Sequence, residues 1–341
     1  MGTILGIYEI ADKANVTTGA VTNWIRRYSD FPKPVTTVQA GKFYDSDQVE
    51  SWLRKRGKIM GAKVISFINL KGGVAKTTTT VGTATLLAGE YGKKVLVVDL
   101  DPQTNCTTML IGEEKWKELD DNGYTLATLF DDVVNETKNF NIDMTLQKNV
   151  SNITNVQGLD LIPSSLRMID IQDRLATIPQ GKFFANNPID IIKKALKPII
   201  NNYDYVLIDC PPNMGIITLN GLRISNAYII PTIPDVLSTY GIPQIISRIE
   251  AFSDNIGEDI ECLGIVATKV RGQSSLHTRT LNQLSRGQDA PIFNTVFYEN
   301  NQMGEAAECI TVTTLRQKWG YQGQFDRFNS FANEIMNKLE G

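Results

Sequence analysis

Seven short stretches of this chain are apolar at nearly every position, and the longer segments between them repeat apolar residues every three or four positions. The apolar runs lie near 64–69, 95–98, 159–162, 205–209, 227–231, 263–268 and 293–297. A strand covered on both faces reads as a continuous apolar run, whereas a 3.6-residue period marks an amphipathic helix. Alternation of the two predicts an α/β chain with a mostly parallel, doubly covered sheet. The polar stretch from Glu113 to Asn155 interrupts this rhythm. It holds a helical pattern around Thr125 to Val133 and then Asn-rich sequence, which predicts a segment that orders only with a partner.

The first sixty residues follow a different pattern. Ile7, Ile10, Ala11 and Ala14 recur at helical spacing, and Asn15-Val16-Thr17 reads as a turn. Thr18 then suits the cap of a second helix through Ala20, Val21, Trp24 and Ile25 to Arg26-Arg27. Phe31-Pro32-Lys33-Pro34 breaks that helix. Val35 to Phe43, with Gly41-Lys42 at a turn, predicts a two-stranded wing. A last helix starts from Asp45 or Ser46 and packs Val49, Trp52 and Leu53 ahead of Arg54-Lys55-Arg56-Gly57. The expected organisation is a small domain over 1–57, a linker over 58–62 and a large domain over 63–341.

Charge supports this division. The net charge of −3 conceals ten Lys/Arg against six Asp/Glu in residues 1–63, a local +4 that leaves −7 on the remainder. A basic helical module beside an acidic α/β domain points to nucleic acid as a partner of the former. No apolar run approaches a membrane span, and the N-terminus lacks a signal-peptide core, so a cytoplasmic chain is expected. Cys106, Cys210, Cys262 and Cys309 show no C-x-x-C spacing and read as buried free thiols. The one histidine, His277, leaves no room for a His metal cluster and reads as a surface residue.

The chemistry concentrates behind three of the runs. After Val64-Ile65-Ser66-Phe67-Ile68 comes Lys71-Gly72-Gly73-Val74-Ala75-Lys76-Thr77-Thr78, a glycine pair and Lys-Thr ahead of a Thr-rich helix. Such a turn aims backbone N–H groups and a helix N-terminus at phosphate oxygens, with Lys76 for the β- and γ-phosphates and Thr77 for Mg²⁺. Leu70 and Ala75 replace the glycines of the ordinary G-x-x-x-x-G-K-[ST] pattern, and Ala75 fits if its φ is negative. Lys71, five residues before Lys76, marks instead the deviant form K-G-G-x-x-K-[ST]. The second run ends in Asp99-Leu100-Asp101-Pro102-Gln103 and the third in Asp209-Cys210-Pro211-Pro212. Ligands of open α/β sheets sit beyond the strands' carboxyl ends, which is where these acids fall.

Loop, D-x-D-P-Q and I-D-x-P-P in this order resemble the ParA/MinD family of P-loop ATPases, and within it the ParA partition proteins, over roughly residues 63–341. The resemblance implies a slow, switch-like ATPase using ATP and Mg²⁺. Lys71 would reach across a nucleotide-sandwich homodimer, Lys76 would hold the phosphates of its own subunit, and Asp101 would position the attacking water. Asp209, with Thr77, would hold the Mg²⁺ shell, and Asp99 would support the same metal region. It also implies a ParB-like centromere-binding partner, nonspecific DNA binding by the dimer and nucleoid association. Thr268-Lys269-Val270 resembles the place where the family wraps adenine. A basic stretch of the family's short members is absent, since 295–305 holds no Lys or Arg. Arg271, Arg279, Arg286, Arg316, Lys318 and Arg327 are the substitutes for that DNA surface.

The N-terminal segment resembles the winged helix-turn-helix module of MerR-like and excisionase-like regulators, and a ParA chain with such an extension is similar to the long plasmid type that also represses its own operon. The resemblance implies that Thr17, Thr18, Thr22, Asn23 and Arg26 face operator bases while Arg27, Lys33 and Lys42 meet phosphates. Two alternatives remain. One is a nucleotide-responsive transcriptional regulator without a partition role. The other is a MinD-like membrane ATPase, against which the final helix counts: its apolar side, Phe325 to Leu339, is flanked by more acidic than basic residues.

Overall fold

The structure is a computed structural model. It describes residues 4–14, 16–38, 41–56, 61–177, 187–287, 290–321 and 323–340. The turn residue Asn15, Gly57 and the linker positions 58–60 lie outside these. The chain divides into two compact units, Met1–Gly61 and Ala62–Gly341.

In the first unit a short strand β1 (Ile4–Leu5) precedes helices α1 (Ile7–Lys13) and α2 (Thr18–Arg27), the hairpin β2 (Pro34–Val38) and β3 (Gly41–Asp45), and helix α3 (Ser46–Lys55). The strands form one antiparallel sheet in the order β1-β3-β2. β1 was not legible beforehand, because a two-residue strand carries no period. The cap of α2 is Thr17, not Thr18: the Thr17 hydroxyl accepts the Ala20 N–H, and Thr18 is already helical. Asp45 caps α3, its carboxylate accepting the Gln48 N–H at 3.0 Å. Of the expected apolar positions, Ile10, Ala11, Ala14, Val21, Val49, Trp52 and Leu53 are buried with Phe31 and Tyr44, and Ile7, Ala20, Trp24 and Ile25 are partly buried. Trp52 lies against Phe31, with ring centroids 4.7 Å apart. Arg56 is spent on structure, stacking over Tyr28 at 4.2 Å and pairing with Asp30 at 2.7 Å.

The second unit is a parallel seven-stranded sheet of β4 (Lys63–Phe67), β5 (Val95–Asp99), β6 (Leu159–Ile162), β7 (Tyr205–Asp209), β8 (Ala227–Thr232), β9 (Glu261–Val270) and β10 (Ile292–Tyr298). All seven apolar runs are strands of it. Their order is β10-β9-β8-β4-β7-β5-β6, so the chain leaves β4 in one direction and later returns to build the other side. That reversal opens a crevice at the carboxyl end of β4.

Alternate residues feed two cores. Ile65, Phe67, Val97 and Leu207 face one, and Val64, Val98, Val206 and Ile208 the other. Each large side chain so buried contributes roughly 1.5–3 kcal/mol. The first core is filled by α4 (Lys76–Gly89) and the C-terminal helix Gln324–Glu340. Buried threonines along α4 bond their own helix: the Thr79, Thr80 and Thr83 hydroxyls donate to the carbonyls of Ala75, Lys76 and Thr79. Phe328 of the C-terminal helix packs onto Gly82, where an added Cβ would lie 2.1 Å from its ring.

Both sheet edges are covered. The Glu334 carboxylate accepts the N–H groups of Asn294 and Thr295 on β10. On the other side Gln147 exchanges two backbone hydrogen bonds with Leu161 of β6. The segment 113–155 does not wait for a partner. Helices Glu113–Asp121, Leu126–Asn135 and Ile142–Thr145 lie within it, and Val150 and Ile153 sit in the first core.

Other expectations change as well. His277 is buried, and its Nδ1 accepts the Arg271 N–H at 3.0 Å. Cys106 and Cys210 are buried, but Cys262 and Cys309 are only partly so.

Candidate functional site

The loop after β4 turns on Gly72 and Gly73, and around the position a Cβ would take at either there is no atom within 4 Å. Gly73 has φ +76°, which a glycine adopts freely. Ala75, just ahead of α4, also lies in the left-handed region with φ +62°, so the negative φ that would have suited an alanine is not what it adopts. A non-glycine residue there costs about 1–2 kcal/mol. The following helix and the buried Thr268 hydroxyl, which donates to Val74 O at 2.9 Å, hold the strained turn. Thr268 therefore anchors the loop from β9.

Lys76 is 7% exposed, with its Nζ on the loop carbonyl of Lys71 at 3.2 Å. Burial lowers its pKa, opposed by the charges of Asp209 and Asp101. Thr77 Oγ1 donates to Asp209 Oδ2 at 2.6 Å, and Thr80 reaches Oδ1 at 3.5 Å. The hydroxyl expected on the metal and the acid expected to hold its shell are thus in contact.

Asp99 and Asp209 are direct cross-strand partners on β5 and β7. Burial raises the pKa of both, and each lies among like charges, Asp209 for Asp99 and Asp101 for Asp209. Asp101 is raised too, chiefly by burial. Carboxyls crowded in this way beside a glycine-lined turn are a place that a divalent cation and its phosphate ligands would stabilise. The residues present fit Mg²⁺ and a nucleoside triphosphate.

Asp99 itself is turned away from that role. Its Oδ1 accepts the Asp101 N–H at 3.1 Å, and its Oδ2 accepts the N–H and hydroxyl of Thr107 at 2.9 and 2.6 Å. With both oxygens committed to the helix α5 (Asn105–Ile111) and the next turn, Asp99 shapes the site rather than facing a metal.

Lys71 does not fold back over its own loop. Its Nζ donates to Ser238 Oγ at 2.8 Å and to the Asp235 carboxylate at 3.3 and 3.4 Å, at the cap of the helix Val236–Tyr240. Asn69 braces its backbone, accepting the Lys71 N–H at 2.9 Å and donating to Pro231 O. Asp235, Ser238, Asn69, Thr107 and Ser164 were not expected here. Asp-x-x-Ser after β8 is a readable helix cap, but nothing local says that a lysine 164 residues earlier meets it.

In the N-terminal unit, Thr17, Thr18, Asn23, Arg26, Arg27, Lys33 and Lys42 are exposed and Thr22 half-buried. Thr18, Thr22 and Arg26 share one face of α2 by four-residue spacing. The Thr22 hydroxyl is turned onto Thr18 O at 2.9 Å. Of the substitute basic residues in the second unit, Lys318 is buried, with Nζ on Glu308 O at 2.7 Å. Arg271 pairs with Glu299, Arg316 with Asp326, and Arg327 with Val296 O. Arg279 and Arg286 are exposed.

A phosphate-binding loop on the central strand, with acids on two neighbouring strand ends, defines a P-loop nucleotide-binding protein. Residues 62–262 match the family model described as AAA domain, and the chain belongs to this family, on its ParA/MinD branch. It is similar to the Sporulation initiation inhibitor protein Soj of Bacillus subtilis, 29% identical over 72% of this chain and 87% of that protein. It is likewise similar to the Chromosome partitioning protein ParA of Caulobacter vibrioides, 28% identical over 72% and 83%. Among solved structures, cobyrinic acid a,c-diamide synthase from Mycobacterium smegmatis, with bound ATP analog and magnesium, shares the fold at TM-score 0.62 and 22% identity. That match covers 82% of this chain and 96% of the other. No helix among the described residues is long and apolar enough to cross a membrane.

Proposed function

We propose that this protein is a DNA partition ATPase of a plasmid or similar replicon, with a second, operator-binding activity in its N-terminal unit. The observation that carries the ATPase is the contact of Thr77 with Asp209 at 2.6 Å beside the buried Lys76. ATP would lie along residues 71–78, with Mg²⁺ held by Thr77 and, through water, by Asp209. The ion would neutralise phosphate charge and polarise the terminal phosphoryl group. Lys76 serves the phosphates of its own subunit. Lys71, directed away from its own loop, serves those of a partner copy in a nucleotide-sandwich homodimer. Asp101 orients the attacking water. The names of the Bacillus and Caulobacter relatives support this reading.

The ATP-bound dimer binds DNA nonspecifically, and a ParB-like centromere-binding protein stimulates hydrolysis and resets it, placing the protein on the nucleoid in the cytoplasm. The sequence α1, turn, α2, hairpin, α3 supports a winged helix-turn-helix. There Thr17, Thr18, Thr22, Asn23 and Arg26 read operator bases while Arg27, Lys33 and Lys42 contact phosphates. The C-terminal helix commits Phe325, Phe328, Phe331 and Ile335 to the core, so its apolar face is not offered to a membrane.

The test is binding to a random duplex and to the DNA upstream of the gene, each with ATP, ADP and no nucleotide at fixed salt. ATP-dependent binding to random DNA, together with tighter upstream binding, supports both activities. Upstream binding indifferent to nucleotide, with none elsewhere, replaces the partition reading with a regulator that kept the fold.

A further inference from the structure

The turn that carries Asp101 is closed by a ring of hydrogen bonds that returns to the residue where it starts. Asp101 N–H donates to Asp99 Oδ1 at 3.1 Å, and Asp99 Oδ2 receives the Thr107 hydroxyl at 2.6 Å and the Thr107 N–H at 2.9 Å. Thr107 Oγ1 in turn accepts the Ser164 N–H at 3.0 Å, and Ser164 Oγ donates to Asp101 O at 2.8 Å. Asp99, Thr107 and Ser164 are fully buried. The backbone of Asp101 is therefore gripped at its N–H by β5 and α5 and at its carbonyl by the segment after β6. Among the described residues its side chain is fixed at one oxygen, where Oδ1 accepts the Gln103 N–H at 3.0 Å.

We propose that Thr107 and Ser164 are positioning residues for hydrolysis, clamping the Asp101 turn so that its carboxylate points at the attacking water. The inference rests on Asp101 being the residue that orients that water. Packing alone does not ask for the Thr107 hydroxyl, since valine fills the same volume. The hydroxyl is required because it is at once a donor to Asp99 and an acceptor from Ser164. A buried, fully satisfied polar ring holds one geometry more sharply than apolar packing does. Small displacements of a water-orienting group are costly in phosphoryl transfer, where positioning supplies most of the rate. No member of the ring belongs to residues 71–78, so nucleotide affinity and turnover can separate.

The experiment compares the full-length protein with Thr107→Val, Thr107→Ser, Ser164→Ala and Asp101→Ala. It reads kcat and KM for ATP with Mg²⁺ and random duplex DNA, and binding of a fluorescent ATP analogue. The expected result is a kcat lower by about tenfold or more for Thr107→Val, with analogue affinity within about threefold and turnover largely restored in Thr107→Ser. Ser164→Ala deletes one oxygen and leaves the donors to Asp99, so it carries the same test if Thr107→Val does not fold. Unchanged kcat in both variants, or a parallel loss of kcat and analogue affinity, overturns the clamp. If Asp101→Ala turns over like the parent, the assignment of Asp101 fails first and takes the clamp with it.

Discussion

Lys71 and Asp235 form an ion pair at 3.3 Å between the phosphate loop and the cap of the helix after β8, and Ser238 completes the lysine's coordination at 2.8 Å. The pair holds the first lysine of the loop on a helix cap. The proposed reach of Lys71 to a phosphate of a second copy would require it to leave Asp235.

Lys71→Ala is therefore expected to abolish the doubling of mass on adding ATP, while Asp101→Ala retains it and traps the dimer because hydrolysis stops. Light scattering behind a sizing column, with and without ATP, checks this. Identical behaviour of the two variants ends the two-role assignment.

The same pair gives an acid dependence. Burial of Asp235 acts to raise its pKa but is outweighed by the Ser238 N–H and hydroxyl and by Lys71, so the carboxyl titrates below its ordinary value. Such a group adds stability that is fully present above its unfolded pKa of about 3.9 and is lost as the pH falls through the lower folded value. Asp235→Asn keeps a good helix cap but not the charge. Its unfolding free energy should fall less steeply below about pH 4 than that of the parent, by urea titration across the acid range. Parallel slopes would show that the pair contributes nothing to the acid limb.

Gly82 has no room for a side chain. Alanine favours a helix, so on propensity alone Gly82→Ala would stabilise α4 by about 1 kcal/mol. The Phe328 ring at 2.1 Å from the added Cβ reverses the sign, and a net loss of about 1–3 kcal/mol is expected in chemical denaturation. A gain in stability would mean that the C-terminal helix is not seated on α4.

Within the N-terminal unit, the phosphate and base roles separate by salt. Lys33→Ala should weaken binding to the upstream DNA and to unrelated duplexes alike and reduce the slope of log affinity against log salt by about 1. Asn23→Ala should instead cost about 1–3 kcal/mol on the upstream site with an unchanged slope. Fluorescence anisotropy at several salt concentrations distinguishes them, and an equal slope change in both variants removes the base-reading assignment of α2.

The departures from the sequence reading share a cause. Lys318 and His277 look like surface residues by type, yet each is buried because its polar atom meets a backbone partner, the Glu308 carbonyl or the Arg271 N–H. The segment 113–155 looked too polar to order, but Val150, Ile153 and the Gln147–Leu161 bridge tie it to the edge of the sheet. Asp99 stood among the metal residues because it ends a strand beside Asp101. Only α5 folding back onto it reveals that its oxygens are already taken.

The sequence by itself determined the seven strands, the covered sheet, the boundary near residue 60 and the phosphate loop, because these rest on short-range periodicity and on spacing within one turn. Tertiary structure decided the left-handed Ala75, the parking of Lys71 on Asp235 and the ring that grips Asp101. These depend on groups that the chain brings together from as far as 194 residues apart. A local pattern records which face of an element is apolar, and it carries no term for which distant polar group that element will meet.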